Sequence, residues 1–237
     1  MLRPRDADTG GPERPAAATT FFGALDPAAQ AAFLGLGREA AFAARSTIFL
    51  RGDASDCVYF VRSGRIDVCI SSPAGRRLVV THIDADELLG ELSMFDGGAR
   101  NVDAVAATDV SLLAILRGDL VDFLSLRPDA AMAMIMGLCG RARSVLATFE
   151  ILAQGNAQAR LAGCLRLMAE KWGEPDAKGG IRITEPLSQN DLAGFSGLTR
   201  ESVNRLLRQM NQAGIVCLDG RTIVIAEPEL LNRLAEA

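Results

Sequence analysis

Residues Pro186–Arg208 read PLSQNDLAGFSGLTRESVNRLLR, and this stretch decides the architecture of the C-terminal third. Ser188 stands where a hydroxyl can accept from the orphan amides of a helix's first turn. Gly194 to Leu198 supplies a turn, and Thr199 caps a second helix. On that second helix Val203, Leu206 and Leu207 share the face that must be buried, while Arg200, Glu201, Asn204, Arg205 and Arg208 project elsewhere. Two capped helices around a glycine turn make a helix-turn-helix. Arg200 and Arg205 fall in the N-terminal half of the second helix, where a recognition helix meets base edges. Arginine suits guanine O6 and N7, and glutamate suits cytosine N4. The same spacing would also make Glu201 and Arg205 an i,i+4 ion pair on a merely solvated face. The hairpin that follows, Ile215–Leu218 and Thr222–Ile225, turns at Asp219-Gly220 with Arg221 at its tip. It adds a wing and tips the balance toward DNA.

Upstream, Ala157–Trp172 has the spacing of a helix and Ile181–Thr184 that of a strand, so 157–237 forms one winged unit. Its charges cancel, with 10 basic against 10 acidic residues, so the net −4 of the chain sits in the first half. Before it, Pro128 to Asn156 contains no further proline. Ile135, Leu138, Ala142, Val145, Phe149 and Leu152 fall on an alternating three-then-four spacing, an a/d seam. An amphipathic helix packed on its own domain is the rival reading. A helix of about 29 residues runs to roughly 43 Å, longer than a small β-domain needs, and this favours pairing with a second copy. A hinge is expected near Gly155-Asn156.

The first half reads differently. Residues 1–20, with Pro4, Pro12, Pro15, Gly10 and Gly11, are expected to be a mobile arm. Residues 21–44 carry helical spacing at Ala29, Ala32, Phe33 and Leu36, started by Asp26-Pro27. From Thr47 the pattern becomes short strands: Thr47–Leu50, Val58–Val61, Arg65–Ile70, Arg77–Ile83 and Val110–Ile115. Gly52, Gly64 and Gly75 punctuate them, which predicts a small antiparallel sandwich or barrel. Within it lies Leu89-Gly90-Glu91-Leu92-Ser93-Met94-Phe95-Asp96-Gly97-Gly98-Ala99-Arg100-Asn101. Backbone amides at such a turn can cradle a phosphate, and Arg100 can supply the counter-charge. The Glu91 carboxylate accepts only, which suits a ribose hydroxyl. A glycine hairpin with a nearby ion pair would look the same.

With Gly52, Tyr59-Phe60-Val61 and Gly64, the run Gly90-Glu91-Leu92-Ser93 and Arg100 resembles the cyclic-nucleotide-binding β-roll and its phosphate-binding cassette. Together with the winged unit, residues 21–232 resemble the CRP/FNR bacterial transcription regulators. The resemblance implies an α+β chain: a sensor β-roll at 21–127, a dimerisation helix at 128–156 and a winged helix-turn-helix at 157–237. It implies that Glu91 meets the ribose 2′-hydroxyl and Arg100 the cyclic phosphate of cAMP or cGMP, with Gly90, Leu92 and Ser93 in the cradle. It further implies a homodimer on double-stranded DNA and contact with RNA polymerase. The triad Arg200, Glu201 and Arg205 is similar to the recognition helix of cAMP-responding members, which implies palindromic half-sites of TGTGA type. Ser188 and Asn190 fall where the family makes phosphate contacts, and Thr199, Asn204 and Arg221 are expected to join them in binding DNA. Two departures stand out. Asn101 follows the arginine where Ser, Thr or Ala is frequent, and Val145-Leu146 occupies the place of an adenine-reading Thr-Ser pair. Ser144 or Thr148 could replace its hydroxyls. An alternative is a regulator of the same fold that uses another effector or none. A cyclic-nucleotide-gated regulatory subunit is the rival from another class.

Composition narrows the rest. At 49% hydrophobic and 23% charged residues, disordered and collagen-like classes fall away. The longest apolar run, Ala130 to Gly140, is too short to span a bilayer, and the first residues lack a signal-peptide core. A cytoplasmic protein is expected. Cys57, Cys69, Cys139, Cys164 and Cys217 form no CxxC pair, and none precedes Cys57, so no iron–sulfur cluster is expected. The single histidine, His82, reads as a partly buried strand residue. It leaves haem and metal ligation, triad hydrolysis and zinc chemistry without partners. No enzyme is expected.

Overall fold

Along the strand Cys57–Ser63, Val58 and Phe60 face one way and Tyr59 and Val61 the other, and this alternation creates two apolar layers. The computed structural model describes residues 20–71, 77–185, 187–220 and 222–236. The expected arm at 1–20 (apart from Thr20), the Gly75 turn and the wing-tip Arg221 therefore lie outside the described residues.

The sensor half contains β1 (Arg38–Phe42), β2 (Thr47–Phe49), β3 (Cys57–Ser63), β4 (Ile66–Ser71), β5 (Arg77–Ile83), β6 (Leu88–Leu89), β7 (Asp103–Ala106) and β8 (Val110–Leu116). They form two antiparallel sheets, β1-β8-β3-β6 and β2-β7-β4-β5. Val61, Ile66, Ile83, Leu89, Ala104 and Leu112 fill the space between the sheets. The outer face of the first sheet is covered by α1 (Pro27–Leu34), α3 (Arg117–Ser125) and the start of α4 (Pro128–Ala153), while α2 (Glu91–Asp96) lies beside β3. The fully buried Phe33 ring lies edge-on to Phe21 and Phe60, each 5.2 Å away, and to Phe123 at 5.5 Å. Burying one such ring contributes about 1.5–3 kcal/mol.

Several boundaries depart from the sequence reading. Asp26 caps α1, its Oδ1 accepting from the Ala29 amide at 2.7 Å, with Pro27 in the first turn as expected. That helix nevertheless stops at Leu34, and residues 38–42 form a strand instead of continuing the helical spacing. Pairing of Arg38–Phe42 with β8 outweighs a local helix signal that Gly35 and Gly37 already weaken. β7 shows no alternation because all four of its residues are buried. Asp103 is accommodated there by the Arg51 amide at 2.9 Å and the Ser71 hydroxyl, bonds that hold its carboxyl below the usual range.

The second half contains α5 (Ala157–Trp172), β9 (Gly173–Pro175), β10 (Ile181–Ile183), α6 (Gln189–Ser196), α7 (Arg200–Gln212), β11 (Val216–Asp219), β12 (Thr222–Ile225) and α8 (Pro228–Ala235). Asn156 caps α5 immediately after the break at Gln154-Gly155. The hairpin β11–β12 extends through β10 to β9, and the unforeseen α8 packs on α5 through Leu231 and Ala235.

Helix α4 is 26 residues long, and one side packs within the chain: Ala130, Met134, Thr148 and Ile151 are buried. Its open side presents Met132, Ile135, Met136, Val145, Leu146 and Phe149. The six residues of the expected seam therefore divide. Ile135, Ala142, Val145 and Phe149 are exposed, whereas Leu138 packs against the sensor core and Leu152 lies beside the Gly197 turn. The exposed heptad stripe is Met132, Ile135, Cys139, Ala142, Leu146 and Phe149, turned from the expected line because the sensor already covers Leu138. By length and mean hydropathy, 1.3 over an 18-residue window, this helix could cross a membrane, which the count of uninterrupted apolar residues did not register. Its apolar surface is a stripe, however, and its other side carries the Arg141 ion pair with Glu91.

Candidate functional site: cassette and reading helix

Leu89 ends a strand and Gly90 adopts φ +86°, a left-handed turn that starts α2. Any Cβ at Gly90 would stand 2.1 Å from Arg100 Nη1, so both the turn and the close approach require glycine. Arg100 is only 4% exposed. Its Nη1 donates to the Gly90 carbonyl at 2.8 Å and to Ser93 Oγ at 3.2 Å, and Nη2 donates to the Cys57 carbonyl at 2.6 Å. The guanidinium also lies 4.4 Å from the Phe49 ring centroid. Its backbone is pinned on both sides, by Gly52 donating to its carbonyl and by its own amide donating to Asp53. A buried cation held by neutral partners creates positive potential at the turn.

Glu91, 2% exposed, meets Arg141 of α4 at 2.5 Å through Oε1. Its Oε2 and the Arg100 Nε are buried without partners. One acceptor and one charged donor thus stand unsatisfied around one glycine turn, the complement of a ligand with a hydroxyl donor and an anionic group. These residues fit a cyclic nucleotide's ribose and phosphate. Gly90, Glu91, Ser93 and Arg100 come together around the turn, whereas Leu92 is half exposed and Asn101 is exposed. Val145 lies on the open side of α4, while Thr148 is buried and donates to the Ser144 carbonyl at 3.1 Å. Arg141 was missed by the sequence reading. Its signal was the first charge after the apolar run, four residues before Val145 and seven before Thr148.

In the C-terminal half, Ser188 and Asp191 form a capping box: Ser188 Oγ accepts from the Asp191 amide at 3.2 Å, and Asp191 Oδ2 from the Ser188 amide at 2.7 Å. Gly197, φ +63°, ends α6 and makes the turn. Thr199 caps α7 by accepting from the Ser202 amide at 3.2 Å. Val203, Leu206, Leu207 and Met210 are buried, and Asn190, Arg200, Glu201, Arg205 and Arg208 are exposed. Glu201, Asn204, Arg205, Arg208 and Gln209 line one shallow depression. The i,i+4 ion pair does not form. The exposed Glu201 carboxyl is instead held below the usual range, and so charged, by its own backbone amide and the nearby Thr199 side chain. Asn204 is half-buried, donating to Gln189 Oε1 at 3.0 Å, so it ties α7 to α6. Gln209 escaped the sequence reading although it follows Arg205 by one helical turn.

The buried thiols of Cys69 and Cys164 are pushed up to about 12 by desolvation, which keeps them protonated. Among the described residues, no group of three or more His, Cys, Asp or Glu side chains could hold a metal ion.

Comparison with known proteins agrees with this geometry. A model described as a cyclic nucleotide-binding domain matches residues 39–126, and one described as a Crp-like helix-turn-helix domain matches 159–234. A CRP-like cAMP-activated global transcriptional regulator of Mycobacterium tuberculosis is 28% identical over 215 residues, 91% of this chain and 96% of the relative. The global nitrogen regulator of a Synechocystis species is 30% identical over 189 residues, 79% and 84% of the two chains. Among solved structures, the c-di-GMP-responsive global regulator CLP of Xanthomonas campestris superposes with TM-score 0.71. It is 24% identical and covers 84% of this chain and 99% of that one, a likeness of fold.

Gly90→Ala tests the cassette's backbone. A left-handed alanine costs about 1–2 kcal/mol, and displacing Arg100 adds to it. A lower urea midpoint is the expected result.

Proposed function

Because this chain belongs to the CRP/FNR family of DNA-binding transcription regulators, we propose that it acts as a homodimer on palindromic DNA under control of a cyclic nucleotide. The observation that carries the effector reading is the unsatisfied pair, Glu91 Oε2 and Arg100 Nε, at the Gly90 turn. Glu91 would take the ribose 2′-hydroxyl and Arg100 the phosphate, with Gly90 and Ser93 beside them. Arg141 would carry any displacement of Glu91 into α4. Such a ligand acts as a population shift, favouring one placement of the paired recognition helices. Val145 and Leu146 offer no hydroxyl to a purine, and Thr148 already donates within its helix. Discrimination between cAMP and cGMP is therefore weak in this reading. A second reading, another effector or none, is favoured by the engagement of both Arg100 terminal nitrogens with protein acceptors.

The exposed stripe from Met132 to Phe149 supports dimerisation, since it is the large apolar surface α4 leaves open. On DNA, Arg200 and Arg205 would reach guanines, Glu201 a cytosine, and Ser188 and Asn190 phosphates. The protein performs no catalysis, works in the cytoplasm and engages RNA polymerase when bound.

Three experiments test this reading. Arg100→Ala removes charge-assisted bonds worth about 1.5–3 kcal/mol, so calorimetry with cAMP and with cGMP should show affinity falling at least tenfold. Unchanged affinity places the phosphate elsewhere. Phe149→Asp should give a folded monomer by sedimentation, because Phe149 is 68% exposed and supports no intrachain core. A dimer that persists removes the stripe from the interface. Randomised-site selection should return a TGTGA-type palindrome with half-site centres about one helical turn apart. Glu201→Ala should relax one or two positions per half-site, at about 1–3 kcal/mol each. A site without symmetry, or one indifferent to Glu201→Ala, overturns the assignment.

A further inference from the structure

The two halves of the chain meet through the sensor hairpin β4–β5, and the chain's single histidine lies in that junction. His82, on β5, is 9% exposed. Its ring centroid is 4.3 Å from that of Phe195 in α6 and 5.0 Å from that of Trp172 at the end of α5. Nδ1 lies 3.0 Å from Asp67 Oδ1 on β4, and Nε2 is buried without a partner. Around it, Arg65 pairs with Glu185 at 2.5 Å and Lys171 with Asp84 at 2.5 Å, each joining the sensor to the DNA-reading half. Cys69 and Val79 of the sensor belong to the apolar core of the reading half. Gly194 of α6 lies so close that a Cβ there would be 3.1 Å from Val79 Cγ2.

We propose that His82 makes this junction a pH-sensitive clasp: the neutral ring holds the reading half on the sensor hairpin, and the imidazolium releases it. In the neutral ring Nδ1–H donates to Asp67, and only the weakly polar Nε2 lone pair is left without a partner. Protonation turns Nε2 into a buried, charged N–H donor with no oxygen or nitrogen to accept it, beside the tilted rings of Phe195 and Trp172. Of the charged groups facing the ring, Arg65 and Lys171 oppose a further cation, and Asp67 favours one. Glu185 and Asp84 are already paired with those two cations. Burial is the largest influence, and it holds the docked histidine below its ordinary value of 6.5 despite Asp67.

The sign follows from the two states. A released, hydrated ring beside Asp67 titrates at or above its ordinary value, whereas the docked ring titrates lower. Docking is therefore at full strength above the released value and weakens as pH falls through it. Each further pH unit favours release about tenfold, until the docked value is reached. This device is independent of the nucleotide and operator assignments, so it can fail or stand without them.

Trp172 is the only tryptophan and touches the clasp, so its emission reports on the junction directly. The test uses the full chain from pH 8 to pH 5, following Trp172 emission and amide exchange in β5 and α6, corrected for intrinsic pH dependence. As pH falls, emission should move to the red and both segments should lose protection. Both changes should vanish in His82→Phe, which keeps an aromatic ring and removes the proton site. Protection that does not change with pH overturns the clasp, as does the same transition in His82→Phe. Loss of Trp172 intensity without loss of protection means quenching in place, which also overturns it. Should His82→Phe fail to fold, Asp67→Asn serves: losing the anion must move the transition to lower pH, and an unmoved midpoint refutes the proposal.

Discussion

One rigid helix must satisfy the sensor, the cassette and the DNA-reading half at once, and the architecture is organised by that constraint. Ala130 and Met134 of α4 are buried in the sensor core, Arg141 grips Glu91, and Ile151 packs against Gly163 of α5. At 3.6 residues per turn these positions fall within one face about 100° wide, so the same side of the helix meets all three. An α-helix transmits displacement along its axis with little loss, because bending it strains several hydrogen bonds together. In the proposed control by a ligand, a shift at Glu91 would reach the α4–α5 break at Gln154-Gly155 without crossing a break in the helix.

Burial of charge gives the cassette its definition. Removing Arg100 and Glu91 from water is costly unless each is paired or hydrogen-bonded. Arg100 is compensated by the Gly90 and Cys57 carbonyls, Ser93 and the Phe49 ring, and Glu91 by Arg141. The compensation stops one atom short on each side chain. Such a site is preorganised for a ligand that completes it, since its side chains have already lost their rotamer freedom on folding.

The junction between halves uses different physics from the cassette. Its ion pairs, Arg65–Glu185 and Lys171–Asp84, flank an apolar patch made by Cys69, Val79 and α6. The Lys171–Asp84 pair is partly exposed, and such pairs are worth about 0–1 kcal/mol. The adhesion therefore rests on the apolar patch, the His82 ring contacts and the largely buried Arg65–Glu185 pair more than on Lys171–Asp84. That makes the relative placement of the halves sensitive to anything that changes the hydration of one ring.

Local chemistry by itself determined much of this protein. Capping residues, turn glycines and periodicity placed α6, α7, the β11–β12 hairpin and the Asp26-Pro27 helix start, and the resemblance to the phosphate-binding cassette marked Gly90, Glu91, Ser93 and Arg100. All of these depend on contacts within a few residues or on a motif contiguous in the chain. What only the tertiary structure decided is what crosses long sequence separations. Residues 38–42 became a strand because β8, more than 60 residues later, offered a free edge. β7 was invisible because burial on both faces erases alternation. Arg141 joined the site because packing turned one side of α4 toward Glu91. The same packing consumed Leu138 and moved the exposed stripe onto Cys139 and Leu146. A periodic helix shows that it has an apolar face, but which residues remain uncovered depends on what the rest of the chain has already buried.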